Sequence, residues 1–212
     1  YLLITDKNYT LYIYREKITP EVMVYLEANQ ISVKPYLEVE QDLKRQAKRR
    51  LVISSSLNGQ LKSAIKNPIT LSPSPVSLMK CIKNETEQNG FRRAMERDGV
   101  AMVKFLKWLK PAVEAGGQTE MSIDKKLYEY RAEQAHFKGV SFDTIAGYGA
   151  HGAIVHYEAT PDTDVQLESR GLLLLDSGAQ YLDGTTDLAR TIPLGPLADD
   201  ERRNYTLVLR GM

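Results

Sequence analysis

Apolar and polar positions follow two regimes along the chain. In the first, short β-rich runs alternate with amphipathic stretches. Tyr1–Thr5 and Thr10–Tyr14 flank Asp6-Lys7-Asn8 and predict a hairpin. Thr19-Pro20-Glu21 predicts a helix start, with Thr as N-cap and Pro at the first helical position. Val22, Leu26 and Ile31 carry its apolar side. A strand over Ser32–Tyr36, a charged helix over Val39–Arg49, a strand at Leu51-Val52-Ile53, a helix over Leu57–Lys66 and a strand at Pro68–Leu71 complete the alternation. Such an order predicts a small α/β unit. Ser54-Ser55-Ser56 has no Gly-x-Ser-x-Gly setting and reads as a loop, and Ser72-Pro73-Ser74-Pro75 marks a boundary.

In the second regime helical spacing comes first. Phe91, Met95, Met102, Phe105, Leu106, Leu109 and Val113 recur on one stripe, which ends at Ala115-Gly116-Gly117. Thr119 caps a second predicted helix through Gln134, with Ile123, Leu127 and Tyr130 on one side. β-rich sequence follows: Ser141–Tyr148, Ile154–Tyr157, the run Leu172-Leu173-Leu174-Leu175, and its return to Ile192. A last helix starts at Asp200 and runs to Leu209. Helices before an antiparallel sheet predict an α+β unit. The expected division is 1–82 and 83–212.

Four consecutive leucines predict a buried strand with both faces covered. That strand runs directly into Asp176, and an unpaired ionised Asp in an apolar interior is costly. Asp183-Gly184 turns the chain back as an antiparallel neighbour carrying Asp187. Two carboxylates meeting in a sheet repel unless one stays protonated or a divalent cation lies between them. Ordinary turn chemistry at a strand end explains the same residues, so spacing alone leaves both readings open.

Composition narrows the function classes. Lys plus Arg number 28 against 27 Asp plus Glu, a net charge of +1, which gives no electrostatic case for nucleic acid or a membrane surface. The basic cluster Lys44–Arg50 reads as a solvated helix end. A single cysteine, Cys81, excludes an internal disulfide framework and fits a reducing, cytoplasmic setting. No apolar run approaches the ~18 residues of a membrane span. The sequence lacks an initiating Met, and it reads as a fragment cut at both ends.

All three histidines lie in the second regime. His136 sits on a polar helix end, whereas His151 and His156 lie in Gly147-Tyr148-Gly149-Ala150-His151-Gly152-Ala153-Ile154-Val155-His156-Tyr157. This last stretch, Leu175-Asp176-Ser177-Gly178-Ala179-Gln180-Tyr181 and Asp183-Gly184-Thr185-Thr186-Asp187 with Arg190-Thr191 together resemble the Xaa-Pro aminopeptidases (aminopeptidase P), of the creatinase/prolidase/methionine aminopeptidase "pita-bread" metallopeptidases. The Asp-Gly-Thr-Thr-Asp form resembles the longer, three-domain type. The resemblance implies an α/β N-terminal creatinase-like domain followed by the first half of an α+β pita-bread catalytic domain. It also implies two divalent metal ions, most often Mn2+, with Co2+ or Zn2+ as alternatives, and peptides with proline in second position as substrates. By the same resemblance Asp176 binds one metal, Asp187 bridges both, and His156 faces the substrate. The cations activate water and polarise the carbonyl, so no protein nucleophile is needed.

Two positions depart from that pattern. His151 stands where relatives often carry Asn and receives no role; Ala189 stands where a Thr is common, which removes a hydroxyl near the metal. The remaining His and two Glu ligands of the family, and its His-Gly-x-Gly-His stretch, do not occur in this chain, which is therefore expected to be inactive by itself. Prolidase chemistry (Xaa-Pro dipeptidase) and a non-catalytic binding module on the same fold are the alternatives. The proline pocket cannot be placed, and an uncovered half-fold leaves a homodimer open.

Overall fold

A computed structural model describes all residues from Tyr1 to Met212, in two compact units, Tyr1–Ile82 and Lys83–Met212. In the first, β1 (Leu2–Ile4) and β2 (Tyr9–Ile13) form the hairpin, and β3 (Ile31–Pro35) lies parallel to β2. The crossover is α1 (Pro20–Ala28), whose Thr19 N-cap accepts from the Val22 amide. Only Leu26 of α1 is buried; Val22 stays exposed, so the apolar side is narrower than its spacing predicts. After α2 (Val39–Arg45), strands β4 (Leu51–Ser54) and β5 (Pro68–Leu71) pair in parallel around α3 (Gly59–Ser63). Tyr12, Val39, Leu43, Leu61 and Ile65 form the core. Lys44 and Arg45 pair with Glu40 and Asp42, and Arg49 with Asp6, so these cations serve local ion pairs. Helix α4 (Pro75–Cys81) ends the unit.

The second unit begins with α5 (Glu85–Ala115), started by a capping box in which Asn84 and Glu87 exchange side-chain-to-backbone bonds of 2.9 and 2.8 Å. Its buried stripe is Gly90, Ala94, Asp98, Ala101, Met102, Phe105, Leu109 and Val113. Phe91 and Met95 remain exposed, because at this end small residues let the helix approach the sheet. The Cβ of an alanine at position 90 would lie 2.1 Å from the Asp183 carbonyl oxygen. Helix α6 (Glu120–Ala132) packs on α5 through Ile123 and Leu127.

Of the β-rich run expected at Ser141–Tyr148, only the second half is strand. Strands β6 (Phe137–Val140) and β7 (Ile145–Tyr148) belong to different sheets. Ile154–Tyr157 is not a strand either. A 3-10 turn spans Gly149–Ala153, and His156 takes a left-handed φ of 57°, which ends any extended run. The leucine strand is β8 (Leu172–Ser177), followed by β9 (Ala179–Tyr181), β10 (Gly184–Thr185) and β11 (Leu188–Pro193). One antiparallel sheet has the order β11-β8-β7 and the other β10-β9-β6. Leu173 and Leu175 have no exposed surface and pack on Phe105, Leu109, Ile123 and Leu127. Leu172 and Leu174 are only half-buried, so one face of β8 is covered and the other is not, against the expectation of two covered faces. Helix α7 (Asp199–Gly211) buries none of its residues. No helix is long and apolar enough to cross a membrane.

Candidate metal centre

Asp176 is the fifth residue of β8, on the half-covered face of the sheet. Its cross-strand partners are Ile145 on β7 and Ala189 on β11, neither of which has a side-chain donor. Residues directly opposite in an antiparallel pair share a face of the sheet. The alanine at 189 thus offers no hydroxyl beside this carboxylate. One oxygen, Oδ1 of Asp176, is buried without any hydrogen-bond partner.

The chain then doubles back to Asp187. Gly178 makes this tight, since the Cβ of an alanine there would lie 2.0 Å from the Thr186 carbonyl oxygen and 2.2 Å from Ser141 Oγ. Thr186, buried, accepts from the Ala179 amide at 2.9 Å through Oγ1 and donates its own amide to the Ala179 carbonyl at 2.9 Å. Ser141 Oγ donates to the Thr186 carbonyl at 2.9 Å. Asp187 is therefore held immediately after a fixed residue, with its own side chain exposed.

The two carboxylates meet. Burial raises the Asp176 carboxyl above its ordinary value, the Asp187 charge adds to this, and a hydrogen bond to Asp187 favours the protonated form. The Ser177 amide and, least, the His156 imidazole act in the opposite direction. Of the residues expected from sequence, Asp176 and Asp187 thus meet, while His156 joins them in no three-residue cluster that could hold a metal. His136 is exposed after the end of α6.

An orphaned buried carboxylate oxygen, next to a second carboxylate, is the donor set that a hard divalent cation satisfies. The fit is partial: no group of three or more His, Cys, Asp or Glu side chains gathers anywhere in the chain.

Two buried polar networks brace this centre, and the sequence reading passed over both. Arg131 donates from Nε and Nη2 to both oxygens of Asp98 at 2.8 and 3.0 Å, and from Nη1 to the Gly178 carbonyl at 3.4 Å; the Tyr181 hydroxyl donates to Asp98 at 3.0 Å. Asp98, Arg131 and Glu120 each have at most 1% of their surface exposed. Glu120 accepts from the Tyr148 amide, lies against His151, and accepts from the Tyr157 hydroxyl. A signal was present. Glu120, Ile123, Leu127 and Arg131 follow one helical stripe, as do Asp98, Met102, Phe105 and Leu109, so each charge lies in line with core residues.

Comparison with known proteins gives the family of the chain. Residues 89–212 match metallopeptidase family M24, and residues 1–87 match the creatinase/prolidase N-terminal domain. The chain is 37% identical over 226 residues to the "Probable Xaa-Pro aminopeptidase P" of Neurospora crassa, covering 100% of this chain and 33% of that one. It is 36% identical over 229 residues to the protein of the same description from Pyricularia oryzae, covering 100% of this chain and 37% of that one. Among solved structures, the X-prolyl aminopeptidase of Caenorhabditis elegans, described as a cytosolic enzyme with a di-nuclear active site, superposes with a TM-score of 0.86 at 28% identity. That match covers 94% of this chain and 34% of the other. The prolidase of Pyrococcus horikoshii gives 0.77 at 25% identity, over 99% and 58%. The chain thus spans about a third of the length of the curated relatives it matches. The expected architecture stands: a creatinase-like α/β domain followed by the start of a pita-bread domain. With more than half of its residues matched, this chain belongs to metallopeptidase family M24.

Proposed function

We propose that the protein carrying this chain is a divalent-metal aminopeptidase that removes the N-terminal residue from peptides with proline in second position. The observation that carries this reading is the meeting of Asp176 and Asp187 at the end of β8, with Asp176 Oδ1 buried and unpartnered. Asp176 and Asp187 would hold a divalent metal, Mn2+ by the family resemblance, with Co2+ or Zn2+ as alternatives; carboxylate ligands suit such ions. Metal held there would supply Lewis-acid polarisation of the scissile carbonyl and activation of a water. His156, exposed on the turn after the 3-10 segment, would donate a hydrogen bond to the substrate oxygen as negative charge develops on it. Because the chain gathers only two metal-holding groups, the 212-residue polypeptide alone should bind a divalent ion weakly and turn over no peptide. A cytoplasmic location accompanies this reading; the description of the nematode relative as cytosolic supports it.

The test is turnover by the complete protein with Mn2+, comparing a Xaa-Pro-Xaa tripeptide, a Xaa-Pro dipeptide and a tripeptide without proline. Release of the first residue from the tripeptide with proline, lost with a chelator and in Asp187→Asn, is expected. Cleavage of the dipeptide alone would assign prolidase chemistry, and no turnover of any peptide would assign a binding module.

A further inference from the structure

One buried charge takes no part in the chemistry proposed for Asp176, Asp187 and His156. Glu120 lies in the first turn of α6, where a solvated carboxylate would already complement the helix dipole. Instead it has no exposed surface. Both oxygens turn toward the segment 148–157. The Tyr148 amide donates to Oε1 at 2.7 Å, His151 Nδ1 lies 3.0 Å from each oxygen, and the Tyr157 hydroxyl donates to Oε2 at 2.8 Å. These partners are the start, the middle and the end of the segment. The His151 and Tyr157 rings also touch, with centroids 4.4 Å apart.

What the three contacts enclose is the turn Ile154-Val155-His156, whose side chains are exposed and make no core contact. His156 nevertheless holds a left-handed φ of 57°. That conformation is uncommon outside glycine and costs energy that surrounding contacts can offset. Closing α6 onto the sheet needs no charge, since Ile123 and Leu127 do so from the same stripe. A fully desolvated carboxylate is unfavourable unless every oxygen is satisfied, and here the satisfying donors all come from the segment bearing the imidazole.

We propose that Glu120 is a positioning residue for His156: its carboxylate, through Tyr148, His151 and Tyr157, fixes the turn that presents the imidazole. This rests on the substrate-facing role given to His156 above, but the geometry can be tested without any activity. The isotope-labelled chain is compared with Glu120→Gln and Tyr157→Phe by NMR, reading the His156 ring resonances and the amide order parameters of residues 154–156. In Glu120→Gln the ring resonances should shift and the order parameters fall from ~0.85 to below ~0.6, with a smaller effect in Tyr157→Phe, while β8 amides stay in place. Unchanged His156 signals in a variant that retains the β8 spectrum overturn the proposal. If Glu120→Gln does not fold, Tyr157→Phe decides, since it keeps the carboxylate and its other two donors. In the complete protein, Glu120→Gln should lower kcat on a Xaa-Pro peptide ~10–100-fold with KM within about twofold. A change confined to KM counts against positioning. Absence of turnover in the unsubstituted protein would remove the peptidase reading, while the NMR comparison would still decide what holds His156.

Discussion

Replacing Arg131 by Met separates a buried ion pair from the packing around it. Arg131 and Asp98 have 1% and 0% of their side chains exposed, so no water can take over the lost bonds. The variant removes two charge-assisted bonds to Asp98, at 2.8 and 3.0 Å, and one to the Gly178 carbonyl. It leaves a carboxylate with only the Tyr181 hydroxyl as donor. Breaking such a pair from one side costs about 3–5 kcal/mol. At about 3 °C per kcal/mol for a chain of this size, the melting temperature of the second unit should fall by ~9–15 °C. Trp108, the sole tryptophan, lies on α5 with its ring centroid 5.9 Å from that of Phe105, so its fluorescence reports this unit alone. Denaturant titration followed at Trp108 gives the free energy. The double variant Arg131→Met/Asp98→Leu should regain most of the loss, because an apolar pair of similar volume often replaces a buried ion pair without penalty. A single variant within 1 kcal/mol of wild type would refute the view that this pair braces the strand carrying Asp176.

Three other outcomes follow from the same structure. Gly90→Ala should destabilise the second unit by about 1–3 kcal/mol, because its Cβ meets the Asp183 carbonyl oxygen, whereas Gly99→Ala on the same helix meets nothing within 4 Å and should stabilise it by about 0.5–1 kcal/mol; thermal melts of both variants check the sign of each change. The Lys34 ammonium holds the Asp42 carboxyl below its ordinary value against the opposing effect of burial, with further help from the Tyr12 hydroxyl. Its contribution is therefore present above the ordinary Asp range and lost as pH falls through the lowered value, so acid titration followed on β1–β3 amides should show a loss that Asp42→Asn flattens. The Asp176 carboxyl is raised, which reverses the sign: metal-free stability should decline as pH climbs from the ordinary Asp range through the raised value. Asp176→Asn should remove the repulsion, gain ~0.2–1 kcal/mol without metal in a denaturant titration, and lose cation binding.

Much of this architecture was legible because local rules agreed with the fold. Thr19-Pro20 and Thr119 start helices where capping chemistry puts them, and the α5 stripe from Met102 to Val113 is core. Legibility failed where tertiary demands overrode local preference. Ile154 and Val155 look like strand, yet the left-handed His156 turns them out to solvent. Ser141–Tyr148 reads as one β run, yet Ser141 bonds to Gly178 and Thr186, and only Ile145–Tyr148 is strand. The leucine run suggested two covered faces because hydropathy counts residues without assigning faces; alternation left Leu172 and Leu174 half-buried beside Asp176. At the centre, Asp176 stood out as a charge ending an apolar strand. Glu120, Asp98 and Arg131 did not, because a charged residue on a helix is ordinarily taken for the wet side even when its spacing puts it in line with Ile123 or Phe105.

The most direct test of the centre is paramagnetic broadening by Mn2+ in the NMR spectrum of this chain, with and without Asp187→Asn. If Asp176 and Asp187 jointly receive a cation, low concentrations of Mn2+ should first erase the amide signals around Asp176 and Asp187 and the ring signals of His156, and Asp187→Asn should restore them. Broadening spread evenly over the acidic surface, or unchanged in the variant, would contradict a metal centre at the end of β8.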